Sequence, residues 1–290
     1  MSEKERKKSH FTSGDDLRNE KIKEIPEYCQ AINELSAIEK VYESISILIT
    51  QNGSMHFIIK DNEQHIMQTQ LIDSSVMTFK NITSCLENGS FSDAYTLLRK
   101  VRDESIMFLY FWILIESYGR NDDQQDLEEV NIEIKNFIGW QNNDIRSPDT
   151  HHMLNVIKKN KDIENIITEY NLENNWKSLT DKLNNFVHIN GRDFATANFS
   201  HLIDFQQYFK SITEDAKYIA VVFIFLFLLV DSTIVSATDY VDYLEMNATP
   251  PEGSQYEVAP GIQDFITNYL REHNNELVDF IRKSSVMNIK

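Results

Sequence analysis

The sequence predicts an all-α protein: an antiparallel helical bundle with two very apolar central helices, plus a C-terminal helix after a linker. Three observations carry this. Glycine and proline number only 8 and 5 in 290 residues, so little interrupts helix propagation. Apolar residues recur at three- and four-residue spacing along most of the chain, the period of one helix face. Two runs, Ile106–Ile115 and Tyr218–Val230, are apolar all round, and a helix with no polar side must be covered everywhere.

Taken in order, residues 1–25 form a polar, mixed-charge arm with a basic tip (Lys4, Arg6, Lys7, Lys8), expected to be disordered or loosely docked. Pro26 suits a first helical turn, and Ile32, Leu35, Ile38, Tyr42, Ile45 and Ile49 continue one stripe from it. SISILIT and SMHFIIK around Asn52-Gly53 also read as a hairpin; the helix is favoured through Ile49, and residues 54–60 stay open. Asp61 or Asn62 is expected to cap a helix carrying Ile66, Leu71, Met77, Phe79, Ile82 and Leu86. After the tight ENGS loop comes Phe91–Ser117, capped by Ser90 or Ser92 and antiparallel to its predecessor. Further helical stripes follow at Leu127–Ile138, Met153–Ile157, Ile163–Ile167 and Leu172–Phe186. Asn190-Gly191 ends the last of these. The bundle is expected over 26–246, a linker over 247–261, and an amphipathic helix over 262–285.

Tyr218–Val230 has thirteen residues, against roughly twenty for a membrane span. A core helix is expected and no membrane. The formal charge of −17 disfavours a broad nucleic-acid surface, because phosphate contact depends on lysine and arginine; a small local basic site is still compatible with it. Cys29 and Cys85 have no zinc or disulfide-framework spacing, which points to a cytoplasmic protein. No phosphate loop, HExxH, GxSxG or EF-hand pattern is present, and neither metal nor cofactor is expected. His151-His152 lacks a third spaced ligand and reads as a solvated loop end.

Two polar clusters stand out. One is the turn Arg99, Arg102, Asp103, Glu104, which opens the apolar Ile106–Ile115 run. The other is NNFVHINGRD, with Asn184 and His188 at the end of an apolar turn. The LLRxxxD/E-type turn leading into an apolar helix, followed later by KLNNFVH (Lys182–His188), resembles the HEPN superfamily of higher eukaryote and prokaryote nucleotide-binding helical bundles, over about 62–245. The family's arginine position falls here on Lys182 or Leu183, with Asn184 as its polar residue. The resemblance implies a homodimer of prokaryotic defence or toxin type. It further implies a metal-independent endoribonuclease acting on RNA at a local basic site, with His188 as acid and base. Arg99 or Arg102 would then stand in for the motif arginine and steady phosphate charge.

A structural role accounts for the same residues. A histidine at a helix C-terminus interacts favourably with the dipole and the last carbonyls. Arg99 and Asp103 form an i, i+4 pair suited to a surface bridge or a buried clamp. On that reading the chain is a non-catalytic interaction or regulatory protein, with the C-terminal helix available to a protein partner.

Overall fold

The structure, a computed structural model, describes residues 22–51, 57–60, 63–66, 69–120, 124–197 and 204–290. It is a helical bundle, as the composition requires. Helix α1 (Pro26–Gln51) precedes a short hairpin, β1 (Phe57–Lys60) and β2 (Glu63–Ile66). The bundle continues with α2 (Gln70–Glu87), α3 (Phe91–Arg120), α4 (Gln124–Gln141), α5 (Thr150–Ile157), α6 (Lys161–Glu169), α7 (Leu172–Val187), α8 (Gly191–Ala197) and α9 (Phe205–Val230). A 3-10 turn (Ser232–Val235), α10 (Asp239–Glu245), α11 (Pro260–Phe265), a π-helical turn (Ile266–Leu270), α12 (Arg271–His273) and α13 (Asn275–Ser284) complete the described elements.

Helix α3 is the hub, packing against α2, α4, α5, α7 and α9. Every residue from Ser105 to Ile115 is buried. The two apolar runs meet as expected: Phe108 lies edge-on to Phe223 and Phe227 at 6.1 and 5.6 Å, and Trp112 to Phe227 at 5.4 Å. Tyr42 of α1 stacks on Phe223 at 5.2 Å, and its hydroxyl lies 2.9 Å from Ser105 Oγ. Three helices thus share one aromatic cluster. Among the described residues no helix is long and apolar enough to cross a membrane.

Three expectations change. The cap expected at Asp61 or Asn62 falls outside the described residues, but its flanks are strands paired antiparallel, Phe57 opposite Ile66 and Lys60 opposite Glu63. Helix α2 starts only at Gln70. The β-branched Ile58-Ile59 pair favours a strand here. SISILIT stays helical because Ile45, Leu48 and Ile49 extend the buried stripe of α1. Within α2 the core face is Ile72, Val76, Phe79, Ile82 and Leu86, while Met77 is exposed.

The arm is docked at its end, since Ile22 is fully buried; residues 1–21 lie outside the described residues. The region 247–261 is tied to the bundle: Ala237 N donates to Glu257 O and Ala259 N to Val235 O, at 2.7 and 2.8 Å. The single helix expected from Ile262 onward is broken at Asn274, which is extended and caps α13 by accepting from Glu276 N. Its apolar face is used within the chain. Ile262, Phe265, Ile266, Leu270, Leu277, Val278 and Ile281 are buried, and α11 and α13 pack on α1 and α9.

Phe108→Ala removes the ring at the centre of this cluster. A stability loss of about 3–5 kcal/mol is expected, read from urea unfolding against the parent chain.

Candidate functional site

The arginine turn is satisfied largely from within α3. Arg102 is 1% exposed; its Nε and Nη2 donate to Asp103 Oδ1 at 2.9 and 2.5 Å. Arg99 Nε approaches the other oxygen of Asp103 at 3.5 Å. One carboxylate therefore serves two guanidinium groups, while Arg99 Nε and Arg102 Nη1 stay buried without a hydrogen-bond partner. The tie between helices comes instead from Glu104, which accepts from Ser74 and Ser75 of α2 at 2.6 and 3.1 Å and pairs with Lys100 at 2.6 Å.

His188 is the exposed C-cap of α7, its backbone N donating to Asn184 O at 2.9 Å. Asn184 is half-buried, with an Oδ1 that meets no donor. Tyr95 stacks on Phe186 at 4.1 Å, whereas Ser105–Leu109 share a cavity with Trp176–Thr180. Helices α3 and α7 therefore run antiparallel. By this register Arg102 lies abreast of the second half of α7 and Arg99 nearer its end, so that His188 is roughly 3–9 Å beyond Arg99 and roughly 8–13 Å beyond Arg102 along the axis at about 1.5 Å per residue. Among the described residues no hydrogen bond or ion pair joins His188 to Arg99 or Arg102 within one chain.

Lys182, at the family's arginine position, has its own partners on α9. Its Nζ donates to Ser211 Oγ at 2.6 Å and to Asp215 Oδ2 at 2.5 Å, and lies 5.1 Å from the Tyr95 ring centroid. Tyr95 also donates to Ser211 at 3.0 Å. Burial raises the Asp215 carboxyl by more than Lys182 lowers it. Lys182 thus ties α7 to α9 through Ser211 and Asp215. A cleft of about 230 Å³ opens beside it.

A second opening carried no sequence expectation. A cavity of about 420 Å³ lies between α3, α5, α6, α7 and α9. Its floor is Ile106, Leu109, Val222, Phe223 and Leu226; Leu154, Ile157, Ile167, Leu172 and Trp176 form the walls. The indole Nε1 of Trp176 is buried without an acceptor. At the mouth are His151, Asn155, Lys158, Glu173 and Lys177, with Lys158 donating to Glu173 at 2.7 Å. The one sequence cue was Trp176, a large indole in the polar setting of LENNWKSLT.

The outer wall, α5, is pinned to the hub. Asp149 caps it by accepting from His152 N at 2.9 Å. His152 Nε2 lies 2.9 Å from Glu133 Oε1, and the Tyr110 hydroxyl of α3 donates to the same carboxylate. His151-His152 is therefore the first turn of a helix and not a loop end. No group of three metal-binding side chains occurs among the described residues. Burial pushes the Glu133 carboxyl up, but hydrogen bonds from Tyr110, His152 and Asn136 outweigh it, and its pKa ends below the ordinary value.

A lowered carboxylate pKa contributes stability above its unfolded value that is lost as pH falls through the folded value. Glu133→Gln is expected to be about 1–3 kcal/mol less stable than the parent at neutral pH, through loss of charge-assisted hydrogen bonds. The difference shrinks as pH drops below the ordinary glutamate value of 4.5. Urea unfolding at neutral and acidic pH checks it; a gap that does not change with pH would refute this account. Comparison with family models, curated proteins and solved structures finds no match for this chain.

Proposed function

We propose that this chain is a regulatory helical bundle that binds a small molecule between α3, α5, α7 and α9. The single observation behind this is the cavity of about 420 Å³, which falls within the roughly 300–1,000 Å³ typical of ligand sites. Its character supports the reading. The floor reaches α9, one of the two central helices, so an occupant touches the core. The outer wall is α5, a helix of only 8 residues, held to the hub by the Glu133 contacts. His151, Asn155, Lys158 and Lys177 put polar groups at the mouth of a mostly apolar pocket, the combination that orients ligands.

Leu154→Trp places an indole in the cavity from its outer helix. The parent is expected to bind an anilinonaphthalene sulfonate probe at one site, with a fluorescence rise, and the variant to bind at least tenfold more weakly. Circular dichroism confirms that the variant is folded. Equal binding by both counts against the cavity.

A second reading, the HEPN-type ribonuclease, is supported by the exposure of His188, whose neighbour Ile189 is 69% exposed. Two such ends meeting across a homodimer would bring together the acid and the base that RNA cleavage requires. The expected result is cleavage of total RNA by the parent and at least a hundredfold less by His188→Ala. Absence of cleavage, or equal cleavage by both, removes this reading.

A further inference from the structure

We infer that the cavity takes an amphipathic monocarboxylic acid, its apolar body on the α9 floor and its carboxylate at the mouth beside Lys177. This rests on the reading of the cavity as a binding site and adds the chemistry of the occupant.

The body follows from the lining. Ile106, Leu109, Val222, Phe223 and Leu226 offer neither a charge nor a free hydrogen-bonding side chain, so the inner part rewards apolar contact and penalises a buried polar group. At roughly 30 Å³ per water-sized group, about 420 Å³ holds about fourteen such groups. A ten-carbon chain with its carboxylate fits.

The head follows from how the polar groups are distributed. Those that accept or donate freely lie on α5 and α7, at the mouth. Lys158 is paired with Glu173 at 2.7 Å. Lys177, one turn further along α7, acts on the same Glu173 carboxylate that Lys158 already pairs with, so two lysines share one acidic group. The mouth therefore carries an excess of positive charge in a chain whose formal net charge is −17. A carboxylate offsets that excess, an alcohol leaves it, and an amine adds to it. The asymmetry is electrostatic, so it weakens with salt.

The test is isothermal titration of the full chain with decanoate, decanol, decylamine and 2-naphthoate, repeated with Lys177→Gln and Leu154→Trp. Decanoate is expected to bind at least tenfold tighter than decanol, with decylamine weakest. Lys177→Gln is expected to bring decanoate to the level of decanol without changing decanol. Decanoate ahead of 2-naphthoate assigns a flexible aliphatic body, and the reverse order an aromatic one; either supports the acid. Decanol equal to decanoate in the parent overturns the acid while leaving the cavity as a site. So does a decanoate preference that survives Lys177→Gln. Failure of all four compounds to bind the parent, or equal binding by Leu154→Trp, overturns the cavity itself.

Discussion

Everything in this structure depends on covering α3. A helix apolar on all sides cannot rest on one face of a neighbour. It needs partners around its whole circumference, and α2, α4, α5, α7 and α9 supply them. The Arg102 guanidinium then enters the bundle with the helix that carries it, because its neighbours in sequence are committed to burial. An isolated buried cation is strongly disfavoured. The adjacent Asp103 relieves it locally, leaving Glu104 free to reach Ser74 and Ser75 on α2. The charged turn is thus a condition for placing α3, whatever else it does.

Filling that circumference with short helices leaves an imperfect seam. Helices α5 and α6 have 8 and 9 residues, and neither presents enough side-chain volume to close the space between the longer α7 and α9. The cavity is what remains. Its walls come from segments distant in the chain, such as Ile106, Leu154, Trp176 and Leu226, each unremarkable within its own stripe.

That difference explains what was legible in the sequence. The bundle, the meeting of the two apolar runs and the course of α1, α3 and α7 follow from periodicity, a property of each segment alone. The hairpin at 57–66 is only half legible: SMHFIIK reads as a β-branched run, but Asn52-Gly53 competes as its turn, and Asp61 and Asn62 are equally good helix caps and turn residues. The break at Asn274 was missed because Ile266 and Leu270 before it and Leu277 and Ile281 after it keep one helical period. Among the candidate residues, the Arg99–Asp103 pairing was readable from its spacing and the capping position of His188 from the helix end beside it. The distance between them was not, since it depends on α7 running antiparallel to α3. The partners of Lys182, on α9 at Ser211 and Asp215, lie 29 and 33 positions away and leave no trace in a local pattern.

One line of rings links this seam to the far end of the chain. Trp176 lies 6.3 Å from Tyr218, whose hydroxyl donates to Leu172 O, and Tyr218 lies 5.6 Å from His273 of α12. The cavity wall and the docked C-terminal segment therefore lean on one side chain of α9. Thermodynamic reciprocity applies to any such shared support. If an occupant that shifts Trp176 tightens or loosens the seating of α12, whatever grips α12 alters the occupant's affinity by the same factor. The C-terminal segment, its buried apolar residues packed within the chain, would then act as a dial on the seam.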